Sequence, residues 1–171
     1  MNDTQRFASY LNARQACIFI QTFEELYASQ IVLNVAHEKM ISTLAWSSSR
    51  GVYEPFNPQR GSVADTEHPA AGLYYLLNMA DPPSMVVIHD ALDYLPDPKL
   101  HRLIRDLHAA FTQTGGTMGF IDHNDKMPDV LANVSTRFEM TLPTEEELSQ
   151  LVRNVVTREH HDLMPQFSKG L

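Results

Sequence analysis

The sequence lacks the features that mark several common classes of protein. It contains one cysteine, Cys17, so no disulfide can form within the chain. Cys17 lies in an apolar stretch, which favours a small core residue over a nucleophile. No apolar run approaches the roughly 18 residues that cross a bilayer, and the first eleven residues do not resemble a signal peptide. We therefore expect a cytoplasmic protein with no membrane partner.

Positive charge is also scarce. Only four of the thirteen basic residues are lysines, and the formal net charge is −8 over 171 residues. Proteins that bind nucleic acids rely on clustered lysine and arginine side chains to neutralise phosphates. We therefore expect no nucleic-acid partner. The hydrophobic content of 43% and charged content of 20% are typical of a globular domain, and the length suits a single one.

The seven glycines do not form a phosphate-binding loop. The Walker A pattern, Gly-x-x-x-x-Gly-Lys-[Ser/Thr], needs a glycine followed directly by lysine. None of the glycines in this sequence is followed by lysine. The sequence therefore has no Walker A motif, and it has no Gly-x-Ser-x-Gly nucleophile elbow either.

Strand-like and helix-like segments alternate along the chain. The predicted strands cover residues 16–21, 42–47, 83–90, 117–122 and 136–141. The predicted helices cover residues 3–13, 23–38, 68–80, 96–113, 127–132 and 144–158. A segment rich in proline, glycine and polar residues, 50–67, reads as a long loop used for binding or free to move.

This order predicts a three-layer α/β fold, with a mostly parallel five-stranded sheet and helices on both faces. The arrangement is like that of P-loop NTPases, without Walker A. We predict one domain over residues 1–158, and a tail or the start of a linker over 159–171. In the helix at 23–38, helical spacing is followed by Phe23, Leu26, Tyr27, Ile31 and Asn34, the pattern of one helix face, with the further apolar residues Val32, Leu33 and Val35 around them.

Ligands of such sheets bind at the carboxyl ends of the strands. The candidate strand-end site consists of Thr22, Glu24, Glu25, Trp46, Asp90 and Asp122. Asp90 ends an apolar strand, as does a Walker B acid that holds Mg²⁺. The alternative is that Asp90 caps the following turn. Ala91 follows it, so the second acid that an ATPase uses to orient water is missing.

The turn from Thr22 to Glu25 stands where a phosphate loop would stand. Thr-x-x-Glu before an apolar helix is a capping box, in which the Thr22 hydroxyl accepts from Glu25 N–H and the Glu25 side chain reaches back. With Glu24, the two carboxylates would repel a phosphate at the same helix end. The alternative is that they serve as catalytic or metal-binding acids. A second Thr-x-x-Glu box occurs at Thr144–Glu147.

Two neighbouring strand ends also suggest a metal site. The candidate ligands are His89, Asp90, Asp122, His123 and Asp125. If the two strands pair, these groups converge, and such a set can hold Zn²⁺ or a harder divalent ion. No His-Glu-x-x-His or Cys-x-x-Cys spacing supports the site. The corresponding function is that of a small metal-dependent hydrolase, carried by the first four of these residues.

Five short patterns occur in order along the chain. They are Thr-x-Glu-Glu after the first strand, Trp-Ser-x-x-x-Gly after the second, the aspartate that ends "SMVVIHD", Arg-x-x-Arg-Asp-Leu, and Pro-x-x-x-Glu in the last helix. From about Phe7 to Val156, the chain resembles the N-terminal domain of a group of AAA-type ATPases of bacteria, cyanobacteria and plastids. In that group, an ATPase-like domain without a phosphate loop precedes a complete AAA module.

The resemblance implies a non-catalytic, ATPase-like regulatory or protein-interaction domain. Its partners would be the AAA module, other subunits of a homo-oligomer and a client protein, and it would need no cofactor of its own. ATP and Mg²⁺ would belong to a full-length relative, and we expect this chain alone not to be an enzyme. A weak nucleotide binder without hydrolysis is a further alternative. The chain ends about where a helical linker to that module would begin, as in an N-terminal portion or a stand-alone relative.

Overall fold

A computed structural model describes residues 1–79, 82 and 84–141 of the chain. Within it, residues Met1–Met140 form one compact unit. The predicted helix at 144–158, its capping box at Thr144–Glu147 and the predicted domain boundary at residue 158 lie outside the described residues. These three remain predictions.

Helices and strands alternate as the sequence predicts, except that β2 and β3 follow each other directly. The helices are α1 (Asp3–Asn12), α2 (Glu25–Glu38), α3 (Pro69–Leu77), α4 (Pro98–Thr114) and α5 (Asp129–Ala132). The strands are β1 (Cys17–Gln21), β2 (Thr43–Ser47), β3 (Gly51–Tyr53), β4 (Met85–His89), β5 (Thr117–Asp122) and β6 (Thr136–Phe138). None of the described helices is both long enough and apolar enough to cross a membrane.

The strands form one sheet in the order β3-β2-β4-β5-β1-β6. All neighbours are parallel except β2 and β3, which are antiparallel. The predicted mostly parallel sheet is confirmed, but its strand count of five is wrong. The sixth strand, β3, lies inside the segment predicted as a loop. Three residues are too few for a periodic pattern, and the hairpin depends on Gly51, whose φ of 70° suits glycine best.

The segment that follows β3 is tied to the sheet by Thr66. The Thr66 hydroxyl accepts from Val52 N–H at 2.8 Å and donates to the Val63 carbonyl at 2.7 Å. Its own carbonyl accepts from Trp46 Nε1 at 2.7 Å. Thr66 and Trp46 are both buried. The long predicted loop is therefore anchored to the sheet near its C-terminal end.

The sheet separates two apolar layers, because side chains alternate between its faces along each strand. On one face, β1, β4 and β5 contribute Cys17, Phe19, Val86, Ile88, Met118 and Phe120, which pack with α3, α4 and α5. On the other face, Ile18, Ile20, Met85, Val87 and Ile121 pack with α1 and α2. The three central strands are almost fully buried, as expected for a parallel sheet covered on both sides.

Side chains cap the N-termini of three helices, α1, α3 and α4. Asp97 accepts from Lys99 N–H at 2.9 Å and Pro98 is the first residue of α4, which confirms the predicted start of that helix. A complete capping box stands at the start of α1. There, Asn2 and Gln5 exchange side-chain-to-backbone hydrogen bonds of 2.9 and 3.2 Å.

Candidate functional site

The strand order places β1 at the point where the chain reverses direction across the sheet. From β1 the chain crosses through α2 to β2 on one side, and from β5 it crosses through α5 to β6 on the other. Ligands of open α/β sheets bind beside such a switch point, at the carboxyl ends of the strands. We call the loops that follow β1, β2, β4 and β5 the strand-end face; they comprise residues 22–25, 48–50, 90–97 and 123–128.

The turn from β1 to α2 differs from the predicted capping box. The Thr22 hydroxyl accepts from Glu24 N–H at 2.9 Å, not from Glu25 N–H. Glu24 occupies the N-cap of α2, and its side chain makes no capping hydrogen bond. The predicted box is therefore wrong. The Thr22 side chain instead closes a turn onto the backbone two residues later. The Glu25 side chain takes no part in this turn and can contact another residue.

Glu25 points toward the end of β4 and meets His89 there. Glu25 Oε1 lies 3.0 Å from His89 Nδ1, but the contact lacks hydrogen-bond geometry and the buried nitrogen has no hydrogen-bond partner. Burial lowers the pKa of His89 below its ordinary value, although the charges of Glu25 and Asp90 favour the protonated form. Burial therefore disfavours a positive charge on His89, although its ring lies against the carboxylate of Glu25.

The ends of β4 and β5 bring three candidate ligands together. Ligand atoms of Asp90, Asp122 and His123 all lie within 4.8 Å of one another. His123 Nδ1 is 3.4 Å from Asp90 Oδ1 and 3.7 Å from Asp122 Oδ1. The predicted convergence of these two strand ends is therefore present for three residues. His89 faces the opposite side of the sheet, and Asp125 does not belong to the cluster.

Within this cluster, the carboxylate of Asp122 also holds backbone. Asp122 is 3% exposed; its Oδ2 accepts from Leu92 N–H and its Oδ1 accepts from Asn124 N–H, each at 2.9 Å. Asp122 therefore fixes the loop after β4 to the loop after β5. Asp90, which was the alternative candidate for this capping role, is exposed and has a left-handed φ of 48°. A divalent cation would find oxygen and imidazole ligands here.

Trp46 does not join the strand-end site. Its side chain is 1% exposed, packs in the core between the sheet and α3, and donates its only N–H to Thr66. The prediction that placed Trp46 with the site residues is therefore wrong. It failed because the alternation of side chains along β2 turns the Trp46 ring toward the core, where its edge-to-face contact with Tyr94, at 6.5 Å between centroids, touches the loop after β4.

Two apolar side chains of the helical pattern lie at the surface. Phe23 and Leu26, which helical spacing groups with Ile31, are 86% and 81% exposed. The buried face of α2 starts one turn later, at Ala28. The Phe23 ring lies beside the His123 ring, with centroids 6.0 Å apart. Phe23 therefore adjoins the cluster of Asp90, Asp122 and His123. The hydrophobic pattern does not distinguish these exposed side chains from buried ones, because α2 is apolar on more than one face.

The fold and the site together define a P-loop-NTPase-like α/β domain whose strand-end turn carries glutamates in place of a phosphate loop. A sequence profile of the SpoVK-like AAA ATPase N-terminal domain matches residues 3–140. The chain belongs to this family, which confirms the resemblance described above. No curated protein matches the chain by sequence.

Solved structures of other proteins have a similar fold. A DNA replication initiation factor matches with a TM-score of 0.54 and 10% identity, over 91% of this chain and 49% of its own. The AMPPCP-bound DnaA of Aquifex aeolicus matches with a TM-score of 0.51 and 9% identity, over 92% and 53%. The chain thus spans about half the length of these proteins, and the likeness concerns the fold.

Proposed function

We propose that this domain is a non-catalytic, ATPase-like module that regulates or recruits through protein contacts. Its partners would be an AAA module, other subunits of the same oligomer or a client protein. The observation that supports this proposal is the turn from β1 to α2. Glu24 and Glu25 stand at the positive end of α2, where a nucleotide phosphate would otherwise bind.

The backbone of this turn also disfavours phosphate. The N–H of Glu24 already donates to the Thr22 hydroxyl at 2.9 Å. A bound phosphate would have to compete for that donor and face the charges of two carboxylates nearby. No lysine follows a glycine anywhere in the sequence to offset those charges. These features favour a domain that keeps the shape of an ATPase without its chemistry.

The first experiment measures ATP binding and hydrolysis by the whole 171-residue chain. Calorimetry with ATP and Mg²⁺ should show no heat of binding, and phosphate release should equal that of a buffer blank. Asp90→Ala serves as the control variant and should leave both results unchanged. Turnover that disappears in Asp90→Ala would refute the proposal, and binding without turnover would favour the weak nucleotide binder.

The cluster of Asp90, Asp122 and His123 supports a second candidate, a metal-dependent hydrolase. Calorimetry with Mn²⁺ and with Zn²⁺, followed by assays on p-nitrophenyl phosphate, tests it directly. The hydrolase requires a bound ion, turnover, and loss of both in His123→Ala. Under the leading proposal, no metal-dependent turnover appears, and His123→Ala folds and behaves as the parent chain does.

A protein partner is favoured over a nucleic acid by the charge of the chain. The net charge is −8, and the strand-end face includes the exposed carboxylates of Glu24, Asp90 and Asp93. Phosphate backbones are repelled by such a surface. A gel-shift assay with duplex DNA and with single-stranded RNA at low salt should therefore show no complex, and a salt-sensitive complex would count against the proposal.

A further inference from the structure

The strand-end face has an exposed apolar centre. Phe23, in the turn before α2, is 86% exposed, and Leu26, which borders this face in the first turn of α2, is 81% exposed. The Phe23 ring contacts His123 from the loop after β5, and His123 contacts Asp90 from the loop after β4. Phe23 therefore belongs to a surface that three loops build together, and Leu26 follows it three positions later in the chain. Large apolar groups exposed in this way are typical of a protein-binding surface.

The same face is strongly acidic. Its 21 residues include six carboxylates against two cationic side chains, Arg50 and Lys126, so the face accounts for −4 of the net charge of −8. The guanidinium of Arg50 stacks on the Tyr53 ring at 3.7 Å, which orients this cation toward β3. The surface beside Phe23 is therefore a concentrated source of negative potential.

We propose that the strand-end face binds a cationic segment of another protein, in which an apolar side chain lies among lysines or arginines. This inference rests on the proposed protein-interaction function and specifies the partner. The apolar side chain would pack on Phe23 and Leu26, while the cations would pair with Asp90, Asp93 and Glu24. Complementary charge around an apolar centre sets orientation and speeds association.

The charge of the face also distinguishes between occupants. Two copies of this chain meeting through the face would oppose a net charge of −4 with an equal charge. A nucleic acid or an anionic lipid surface would be repelled in the same way. A cationic segment that carries an apolar side chain can pack on Phe23 and Leu26 and also pair with the carboxylates around them.

A randomised 12-residue peptide library, displayed on phage, tests the inference while the partner itself is unidentified. It is selected on the whole chain and, in parallel, on the exposed-site variant Phe23→Ser/Leu26→Ser. We expect the parent chain to enrich peptides that carry lysines or arginines beside a leucine, phenylalanine or similar residue. The variant should not enrich them. Enrichment of acidic peptides, or equal enrichment on both proteins, would overturn the inference.

The affinity of one enriched peptide is then measured by fluorescence anisotropy. Phe23→Ser/Leu26→Ser should weaken binding at least about tenfold, while Met40→Ser/Tyr74→Ser, which removes two other exposed apolar side chains, should not. Asp90→Asn/Asp93→Asn should weaken binding and flatten its dependence on salt. The charge control Glu38→Gln/Asp65→Asn should leave both unchanged. Circular dichroism confirms that each variant is folded.

The contrary outcomes separate the inference from the proposed function. A peptide that loses affinity in Met40→Ser/Tyr74→Ser, and not in Phe23→Ser/Leu26→Ser, would refute the site and the class of partner. Protein interaction would then stand, at another surface. ATP turnover would refute the proposed function whatever the library yields. Self-association at micromolar concentration that Phe23→Ser/Leu26→Ser abolishes would identify a second copy as the occupant and overturn the inference.

Discussion

At the scale of single residues, Asp122 holds the loops of the strand-end face in place. Its two carboxylate oxygens accept from Leu92 N–H and Asn124 N–H, and its side chain is almost completely buried. Asp90, the neighbouring acid at the end of β4, is exposed and accepts from neither. Two acids at equivalent strand ends therefore have different roles. The sequence alone does not show this difference, because both are aspartates that follow an apolar strand.

The contrast between the two acids predicts a difference in stability. Asp122→Ala should lower the free energy of unfolding by about 2–4 kcal/mol, because it leaves two backbone donors without acceptors, one of them buried. Asp90→Ala should change it by less than about 1 kcal/mol, since that carboxylate is exposed. Urea denaturation of both variants measures the difference. Equal losses would show that the carboxylate of Asp122 does not anchor the loops.

At the scale of elements, α3 approaches the sheet closely because of Gly72. A Cβ placed on Gly72 would lie 2.5 Å from two atoms of the Trp46 indole ring and 3.1 Å from the Thr66 carbonyl oxygen. The same indole donates to Thr66, so α3, β2 and the segment after β3 meet at one point. A glycine in this helix is required by the close approach, although alanine is the better helix former.

Gly72→Ala should therefore destabilise the chain by about 1–3 kcal/mol, since overpacking outweighs the gain in helix propensity. Gly119→Ala is the matched control, because Gly119 has no positive φ and its Cβ would meet only the Val86 carbonyl oxygen, at 4.0 Å. We expect a change of less than about 1 kcal/mol there. The single tryptophan provides the fluorescence signal for both unfolding curves. A Gly72→Ala variant as stable as the parent would rule out the tight packing described here.

The elements that the sequence predicts well are those with long, uniform patterns. The amphipathic α4 was predicted with its cap at Asp97, and the apolar β1, β4 and β5 were predicted within two residues at each end. The hairpin strand β3 was missed, because its three residues carry no period and its turn depends on the backbone of Gly51. A short strand that depends on the backbone conformation of one residue cannot be recognised from a hydrophobic pattern.

The site shows the same limit. Neighbouring parallel strands brought Asp90, Asp122 and His123 together, as the order of elements predicts. The orientations of Glu25, Trp46 and Phe23 did not follow from the sequence. Each depends on which way a side chain turns at the end of a strand or the start of a helix, and that is decided by packing.

At the scale of the whole molecule, β1, which lies next to the edge strand β6, contributes side chains to both apolar layers. It lies between β5 and β6, with Cys17 and Phe19 in one layer and Ile18 and Ile20 in the other. Any opening that exposes β1 therefore disrupts both layers at once. The buried Cys17 thiol can report such an opening, because burial raises its pKa to about 12.

We expect Cys17 to react with Ellman's reagent only when the whole domain unfolds. The thiol is 1% exposed and overwhelmingly protonated at neutral pH. Its labelling rate should therefore follow the fraction of unfolded protein as urea is raised, with the same midpoint as tryptophan fluorescence. Cys17→Ala shows the background. Rapid labelling of the native protein would mean that β1 opens locally, against the burial described here.

The length of the turn after β1 has a consequence for the engineering of this domain. Three residues, 22–24, connect β1 to α2, whereas the Walker A pattern covers eight positions between a strand and the first turn of a helix. Point substitutions that supply glycines and a lysine would thus leave too little chain to encircle a phosphate. A loop that wraps a phosphate would therefore require a longer backbone between β1 and α2, which substitutions alone do not supply.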